Sequence, residues 1–281
     1  MTFAHSATAI FRRLERIATA LAIAAALGCV TVSGSGRARA QETVAAPIVS
    51  LGDAVVTGFS GTREEATKAA EDAPVWLVID VDGASVRGFD LRNPTGRGAL
   101  GQPLVPEFLS VPSRDVGQVF GLTMDDAIDE ESGLPAPNVY VTATSVYGLP
   151  IVAFDKASVA GIKPLANGGP EARWMEGLFG QKLGGGPGSV WKIDGLSGKA
   201  SLFIDIRHDG RANGGAALGA IAYDTATGQF FVSDRETGLI HRIDLTGRLL
   251  DAFDHGVVGR EAAGLAGAPL GANYGTDISS A

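Results

Sequence analysis

Cysteine is nearly absent. The only one in 281 residues is Cys29, and it lies inside an N-terminal segment that reads as a removable export signal. The mature chain is therefore expected to have no disulfide and no thiol chemistry. Basic charge is scarce as well, with 23 Lys and Arg against 31 Asp and Glu. Removing residues 1–40 takes away five arginines and one glutamate and moves the net charge from −8 to about −12. So acidic a surface repels phosphate backbones and anionic lipid, which argues against nucleic-acid partners and electrostatic membrane binding. Long apolar runs are missing too. Ile17–Val32 spans 16 residues, short of the roughly 18–20 that cross hydrocarbon.

What the N-terminus does contain is the pattern of a signal peptide. Arg12, Arg13 and Arg16 precede the apolar run, and Ala38-Arg39-Ala40 supplies the small-x-small site that leaves Gln41 as the new N-terminus. A twin-arginine route fits poorly, because Phe11 precedes the pair and Glu15 stands where an apolar residue is wanted. Ala26-Leu27-Gly28-Cys29 has the wrong order for a lipoprotein box. The expected location is periplasmic or secreted, with no stable membrane insertion after cleavage.

The remaining 240 or so residues suffice for one domain with a full core. Glycine, at 39 residues, is about twice its usual share of ~7% and points to many tight turns rather than long helices. A short pattern recurs along the chain: Val86-Arg87-Gly88-Phe89-Asp90, Ile151-Val152-Ala153-Phe154-Asp155, Val190-Trp191-Lys192-Ile193-Asp194 and Ile240-His241-Arg242-Ile243-Asp244. The last two lie 50 residues apart. Strand-like segments precede them, Gln118–Leu122 and Ala220–Tyr223, then Asn138–Thr142 and Gln229–Ser233. Val75-Trp76-Leu77-Val78-Ile79-Asp80 takes the corresponding place before Val86. Turn-forming clusters such as Asp224-Thr225-Ala226-Thr227-Gly228 separate them.

A repeat near 50 residues built of short strands predicts an all-β chain of four-stranded antiparallel meanders, as in β-propeller blades. Blades are drawn at about 47–110, 111–210 and 211–258, with a fourth beginning near Ala272. The middle blade is too long, and residues 147–188 read as an insertion. Its apolar cluster Trp174, Met175, Leu178 and Phe179 is expected to pack down as a cap. On that reading Ile151–Asp155 is a chance match or a strand within the insertion. A weak helix is expected at Ala66–Ala70. Closure takes at least four blades, so the expectation is a partial propeller, shorter than its full-length relatives.

The segment from Leu218-Gly219-Ala220-Ile221-Ala222-Tyr223-Asp224 through Phe231-Val232-Ser233-Asp234 to Ile240-His241-Arg242-Ile243-Asp244 resembles the blade signature of six-bladed propellers. Those include the NHL-repeat, gluconolactonase-like and TolB-like proteins. The likeness is good over about 45 residues, weaker over 75–91 and 117–142, and absent from the insertion. It implies a fold and no activity, since this fold serves binding modules, lactonases, other hydrolases and lyases alike. The metal-binding Glu and Asn of the lactonase-like members match no positions here.

Candidate site residues follow from the loops that lead into each blade. These hold Arg114 and Asp115, then Arg207, His208, Asp209 and Asn213, then Asp254 and His255. Histidines and carboxylates converging there would bind a divalent cation or activate water. The same residue types also serve simply as turn formers. Asp125, Asp126, Asp129, Glu130 and Glu131 form an acidic loop without the EF-hand spacing of a Ca²⁺ site, and it reads as solvated charge in preference to a Ca²⁺ site. Gly184–Gly188 lacks the Lys-Ser/Thr and helix of a phosphate loop, and no Gly-x-Ser-x-Gly elbow exists for serine chemistry. Trp76 and Trp191 read as core, and Trp174 as a ligand contact. The expected function is a ligand- or partner-binding module, for a small molecule, a glycan or an envelope protein. The alternative is a metal-dependent hydrolase or lactonase using His208, Asp209, Asp254 and His255.

Overall fold

The computed structural model describes residues 46–65, 76–98, 103–147, 151–154, 162–166 and 170–254. Regular structure in them is almost entirely β; the helices among the described residues are the single turns Ser113–Val116 and Gln181–Leu183. The chain begins with β1 (Asp53–Thr57), β2 (Thr62–Glu65), β3 (Trp76–Ile79), β4 (Ala84–Asp90), β5 (Gly96–Arg97), β6 (Pro103–Leu104) and β7 (Glu107–Pro112). Of these, β1-β4-β7 is an antiparallel sheet, sheet one, while β2–β3 and β5–β6 are two-stranded excursions from it.

Next come β8 (Val119–Met124), β9 (Val139–Ala143), β10 (Ile151–Phe154), β11 (Ile162–Leu165), β12 (Arg173–Trp174), β13 (Ser189–Ile193) and β14 (Ala200–Asp205). Sheet two runs β8-β9-β13-β14, and the chain between β9 and β13 leaves it to form a small sheet of β11-β10-β12. After the short pair β15 (Arg207–His208) and β16 (Arg211–Ala212) come β17 (Leu218–Asp224), β18 (Gln229–Asp234), β19 (Leu239–Asp244) and β20 (Leu249–Asp254). These last four strands make an uninterrupted antiparallel meander, sheet three.

The sequence repeat is a repeat of register. The aliphatic residue that opens the pattern pairs with a hydroxyl residue in all three sheets: Val86 with Thr57, Val190 with Thr142, Ile240 with Ser233. Three positions later Phe89, Ile193 and Ile243 pair with Ala54, Val139 and Phe230. The closing aspartate ends the strand by accepting backbone N–H groups ahead of it: Arg92 at Asp90, Leu196 and Ser197 at Asp194, Thr246 and Arg248 at Asp244. A carboxylate short enough to fold back on its own turn explains why the pattern ends in Asp.

The hydroxyls couple the sheets to one another. Thr57 Oγ1 donates to the Phe120 carbonyl of sheet two at 2.8 Å, and Thr142 Oγ1 donates to the Gly219 carbonyl of sheet three at 2.6 Å. The two acceptors are equivalent, because each lies in the same β-bulge of its sheet, between Val119 and Leu122 or between Leu218 and Ile221. Thr142 Oγ1 also accepts the Gly121 N–H at 3.0 Å. A Cβ on Gly121 would run into the Gly219 carbonyl and the Thr142 hydroxyl, so this approach of β8 to β17 requires glycine.

Packing follows from that coupling. Val86, Leu109 and Val111 of sheet one meet Val139, Val141, Trp191 and Ile193 of sheet two. From the reverse face of sheet two, Tyr140 and Val190 meet Leu218, Ile221, Phe230, Val232 and Ile243 of sheet three. The Tyr140 ring stands 4.3 Å from that of Phe230 and 5.0 Å from that of Phe203. Sheet two is thus covered on both faces, and all five residues of β9 are buried. On β19 burial alternates residue by residue, the mark of a sheet covered on one face.

Sheet one departs from expectation. The place beside β4 belongs to β1, and Trp76–Ile79 pairs instead with Thr62–Glu65. Thr57, opposite Val86, carries the hydroxyl that bonds to sheet two. Among the described residues sheet one has three strands rather than the expected four. Ile151–Phe154 is a strand of the small separate sheet. The helix expected at Ala66–Ala70 and the further repeat near Ala272 lie outside the described residues.

Replacing Thr142 by Val keeps its volume but strips the Gly121 N–H and the Gly219 carbonyl of their shared buried partner. A loss of about 1–3 kcal/mol is expected, read as a lower urea midpoint. Thr57→Val, at an exposed bond, is expected to cost less than about 1 kcal/mol. Equal losses at the two positions would contradict the difference in burial.

Candidate functional site

Sheets one and two leave their meanders at the same point, between the strand bearing the hydroxyl and the strand bearing the aliphatic-x-x-hydrophobic-Asp pattern. Sheet one there inserts β2–β3, and sheet two inserts β10–β12. The two excursions meet. The Ile79 N–H donates to Met175 Sδ at 3.3 Å, and Val78, Ile79, Val152, Met175, Leu178 and Phe179 share one buried cluster with Ala143 and Ala217. Sheet three has only the tight turn Asp234–Gly238 at the corresponding point, closed by a Gly238 N–H bond to the Asp234 carbonyl.

Between the excursions lies a cavity of about 530 Å³, within the usual range of small-molecule sites. Val78, Ile79, Val81, Val152, Trp174 and Met175 make it apolar, and Arg63, Arg173, Glu176 and Gln181 supply its polar groups. The wall is braced from behind. Gln181 donates from Nε2 to the Met175 carbonyl at 3.3 Å and accepts the Phe179 N–H at 3.4 Å. Trp174 stands edge-on to Phe179, ring centres 5.0 Å apart at 81°. It also lies over Gly215, whose φ of +128° and whose contact with the indole both exclude a side chain.

The residues expected from sequence fall into several places. Trp174 lines the cavity. Arg114 forms an ion pair with Asp82, and Asp115 pairs with Lys182 at 3.3 Å. His208 lies 3.3 Å from Asp209 and 6.1 Å, ring to ring, from His241. Burial pushes the His208 imidazole below the ordinary histidine value, with Asp209 pulling the other way. Asp254 is buried at the end of β20, opposite Leu239. His255 lies outside the described residues.

A second polar cluster contains Asn213 from the sequence reading, while its other members were not singled out there. Asp234, almost fully buried, accepts hydrogen bonds from Asn213 Nδ2 at 3.0 Å, the Glu236 N–H at 2.9 Å and Thr237 Oγ1 at 2.8 Å. His241 Nε2 lies 3.2 Å from the same carboxylate, and the imidazole has no exposure to solvent. Glu236 in turn holds Arg211 at 3.2 Å and the Gly214 N–H, so the cluster pins the loop before β17 to the turn before β19. His241 takes the register place of Trp191, since Val232 and Val141 are their respective partners. A histidine in the apolar phase of a strand was the available signal.

Among the described residues, no group of three or more His, Cys, Asp or Glu side chains gathers to hold a metal ion. Three carboxylates of the acidic loop accept hydrogen bonds from the protein. Asp125 accepts from the Ala127 and Asn138 N–H groups, Asn138 Nδ2 and Tyr140 Oη; Asp129 accepts from Ser132; Asp126 accepts from Tyr223 Oη. Among the described residues no helix is long and apolar enough to cross a membrane. No protein-family model matches the chain, and no curated protein or solved structure is similar to it.

Burial opposes ionisation of Asp234, but the hydrogen bonds from His241, the Glu236 N–H and Thr237 outweigh it and hold the carboxyl below its usual range. A carboxyl depressed on folding adds stability above its unfolded pKa of about 3.9 and loses it as pH falls through the folded value. Urea midpoints of the wild type are therefore expected to drop between about pH 4 and pH 2 more steeply than those of Asp234→Asn. Parallel pH profiles would show that the cluster adds nothing through ionisation.

Proposed function

We propose that the protein is an exported binding module of propeller type that holds a small, mainly apolar molecule between the excursions of its first two sheets. The observation that carries the reading is the 530 Å³ cavity with its six apolar lining residues. A pocket of that size and lining takes up a small molecule by desolvation, and its few polar groups orient it. A glycan or a protein surface would leave such a lining poorly matched.

Three features support the propeller part. The sheets are antiparallel and stack face to face, their registers coincide, and the same hydroxyl bond links one to two and two to three. Stacked small sheets bury their faces against one another in this manner around an axis. Export rests on the basic n-region, the 16-residue apolar run and Ala38-Arg39-Ala40. The metal-dependent hydrolase draws no support from the described donor groups.

Titration with a hydrophobic fluorescent probe tests the pocket. One probe per chain is expected, with Trp174 emission changing on binding. Trp174→Ala is expected to weaken binding about tenfold, about 1.4 kcal/mol, and Val152→Arg to abolish it by placing a cation among apolar groups. Unchanged affinity in both variants would place the probe elsewhere and remove the basis for this function.

A further inference from the structure

The cavity between the excursions has a charged side as well as an apolar one. Of its polar lining residues, Gln181 is engaged with the Met175 carbonyl and the Phe179 N–H. The ionised groups on the lining, among the described residues, are the guanidiniums of Arg63 and Arg173 and the carboxylate of Glu176. Cations thus outnumber anions here, in a chain whose net charge is −8.

The two arginines take equivalent places. Arg63 of β2 stands opposite Val78 of β3, and Arg173 of β12 stands opposite Val152 of β10. Residues directly opposite each other in an antiparallel pair share a face, so each excursion presents one arginine beside one buried valine of the cavity wall. The other face of the β2–β3 hairpin carries Glu64 and Leu77, which pair with each other and are exposed. Alternation along β2 therefore turns Glu64 away from the cavity and Arg63 towards it. Both arginines are exposed, whereas Val78, Ile79, Val152 and Met175 are buried. Positive charge accordingly lies on the solvent side of the cavity and apolar surface on its inner side.

We propose that the ligand is an apolar monocarboxylate, its hydrocarbon body among the buried wall residues and its carboxylate held between Arg63 and Arg173. The planar fork of a guanidinium matches the two oxygens of a carboxylate. Glu176 limits the charge, because its carboxylate opposes a second negative group on the ligand. The inference rests on the pocket proposed above and adds the charge of the molecule that fills it.

Competition against an uncharged hydrophobic fluorescent probe tests it, with decanoate, decanol and decylamine as competitors at about pH 7, where the acid is ionised and the amine protonated. Decanoate is expected to displace the probe at about one-tenth the concentration that decanol requires. Decylamine is expected to be the weakest, and added salt to shrink the decanoate advantage. Arg173→Met keeps the aliphatic stem and is expected to remove that advantage while decanol binds as before. Arg63→Met repeats the test should Arg173→Met lose decanol as well. Glu176→Gln is expected to tighten decanoate binding about threefold, a gain that misfolding cannot produce. Decanol or decylamine binding as tightly as decanoate overturns the charge assignment and leaves the pocket standing, as does an Arg173→Met protein that keeps the decanoate advantage. A wild-type chain that takes up neither the probe nor any competitor overturns the pocket and this inference with it.

Discussion

A single hydroxyl, placed once per sheet, ties register to stacking in this protein. Thr57 and Thr142 reach from the strand beside the aliphatic-x-x-hydrophobic-Asp pattern to the bulged backbone of the next sheet. Side chains alternate faces along a strand, so a slip of one residue would point that hydroxyl away from its acceptor and turn the core residues to solvent. The bulge matters equally, because it brings the Phe120 and Gly219 carbonyls to the sheet edge where the hydroxyl arrives. Sheet two lies at the centre of this scheme, donor to one neighbour and acceptor from the other. Its strand β9 is accordingly buried throughout.

The same scheme leaves one loop of each sheet unconstrained. Neither the hydroxyl bond nor the face-to-face core involves the connection between the hydroxyl strand and the patterned strand. Sheet three closes it with a short turn, while sheets one and two extend it into β2–β3 and β10–β12. A rigid stack that carries variable loops is a common way to mount a binding site. The cavity is lined mainly from these loops, and the Ile79–Met175 contact and the Gln181 brace fix their mutual placement. Asp234 and His241 do comparable service in sheet three, locking the loop that supports Trp174 through Gly215.

Much of the architecture was legible in the sequence because the repeat is periodic in both spacing and parity. Val190–Asp194 and Ile240–Asp244 are the same strand in two sheets, in the same register. Sheet one was harder to read. Trp76–Ile79 has as good a strand composition as Asp53–Thr57, and nothing local distinguishes the partner of β4; only the hydroxyl in register with Val86 does so. Trp174 stood out in the sequence because it lies among apolar residues in a long excursion, and it lines the cavity. Val78, Ile79 and Val152 did not stand out, because their place in the cavity wall depends on two excursions meeting across 72 intervening residues or more. Arg114 and Asp115 carry the residue types of a site and are engaged in ion pairs, and Asp125 and Asp129 of the acidic loop are engaged in turns.

The central claim is that sheet two is gripped on both faces through the hydroxyl coupling, and native-state hydrogen exchange measures this most directly. The amides of Val139–Ala143 and of Gly121 are predicted to exchange only through global unfolding, and those of Leu249–Asp254 through smaller openings at lower free energy. Exchange of the β9 amides as fast as those of β20 would contradict the account.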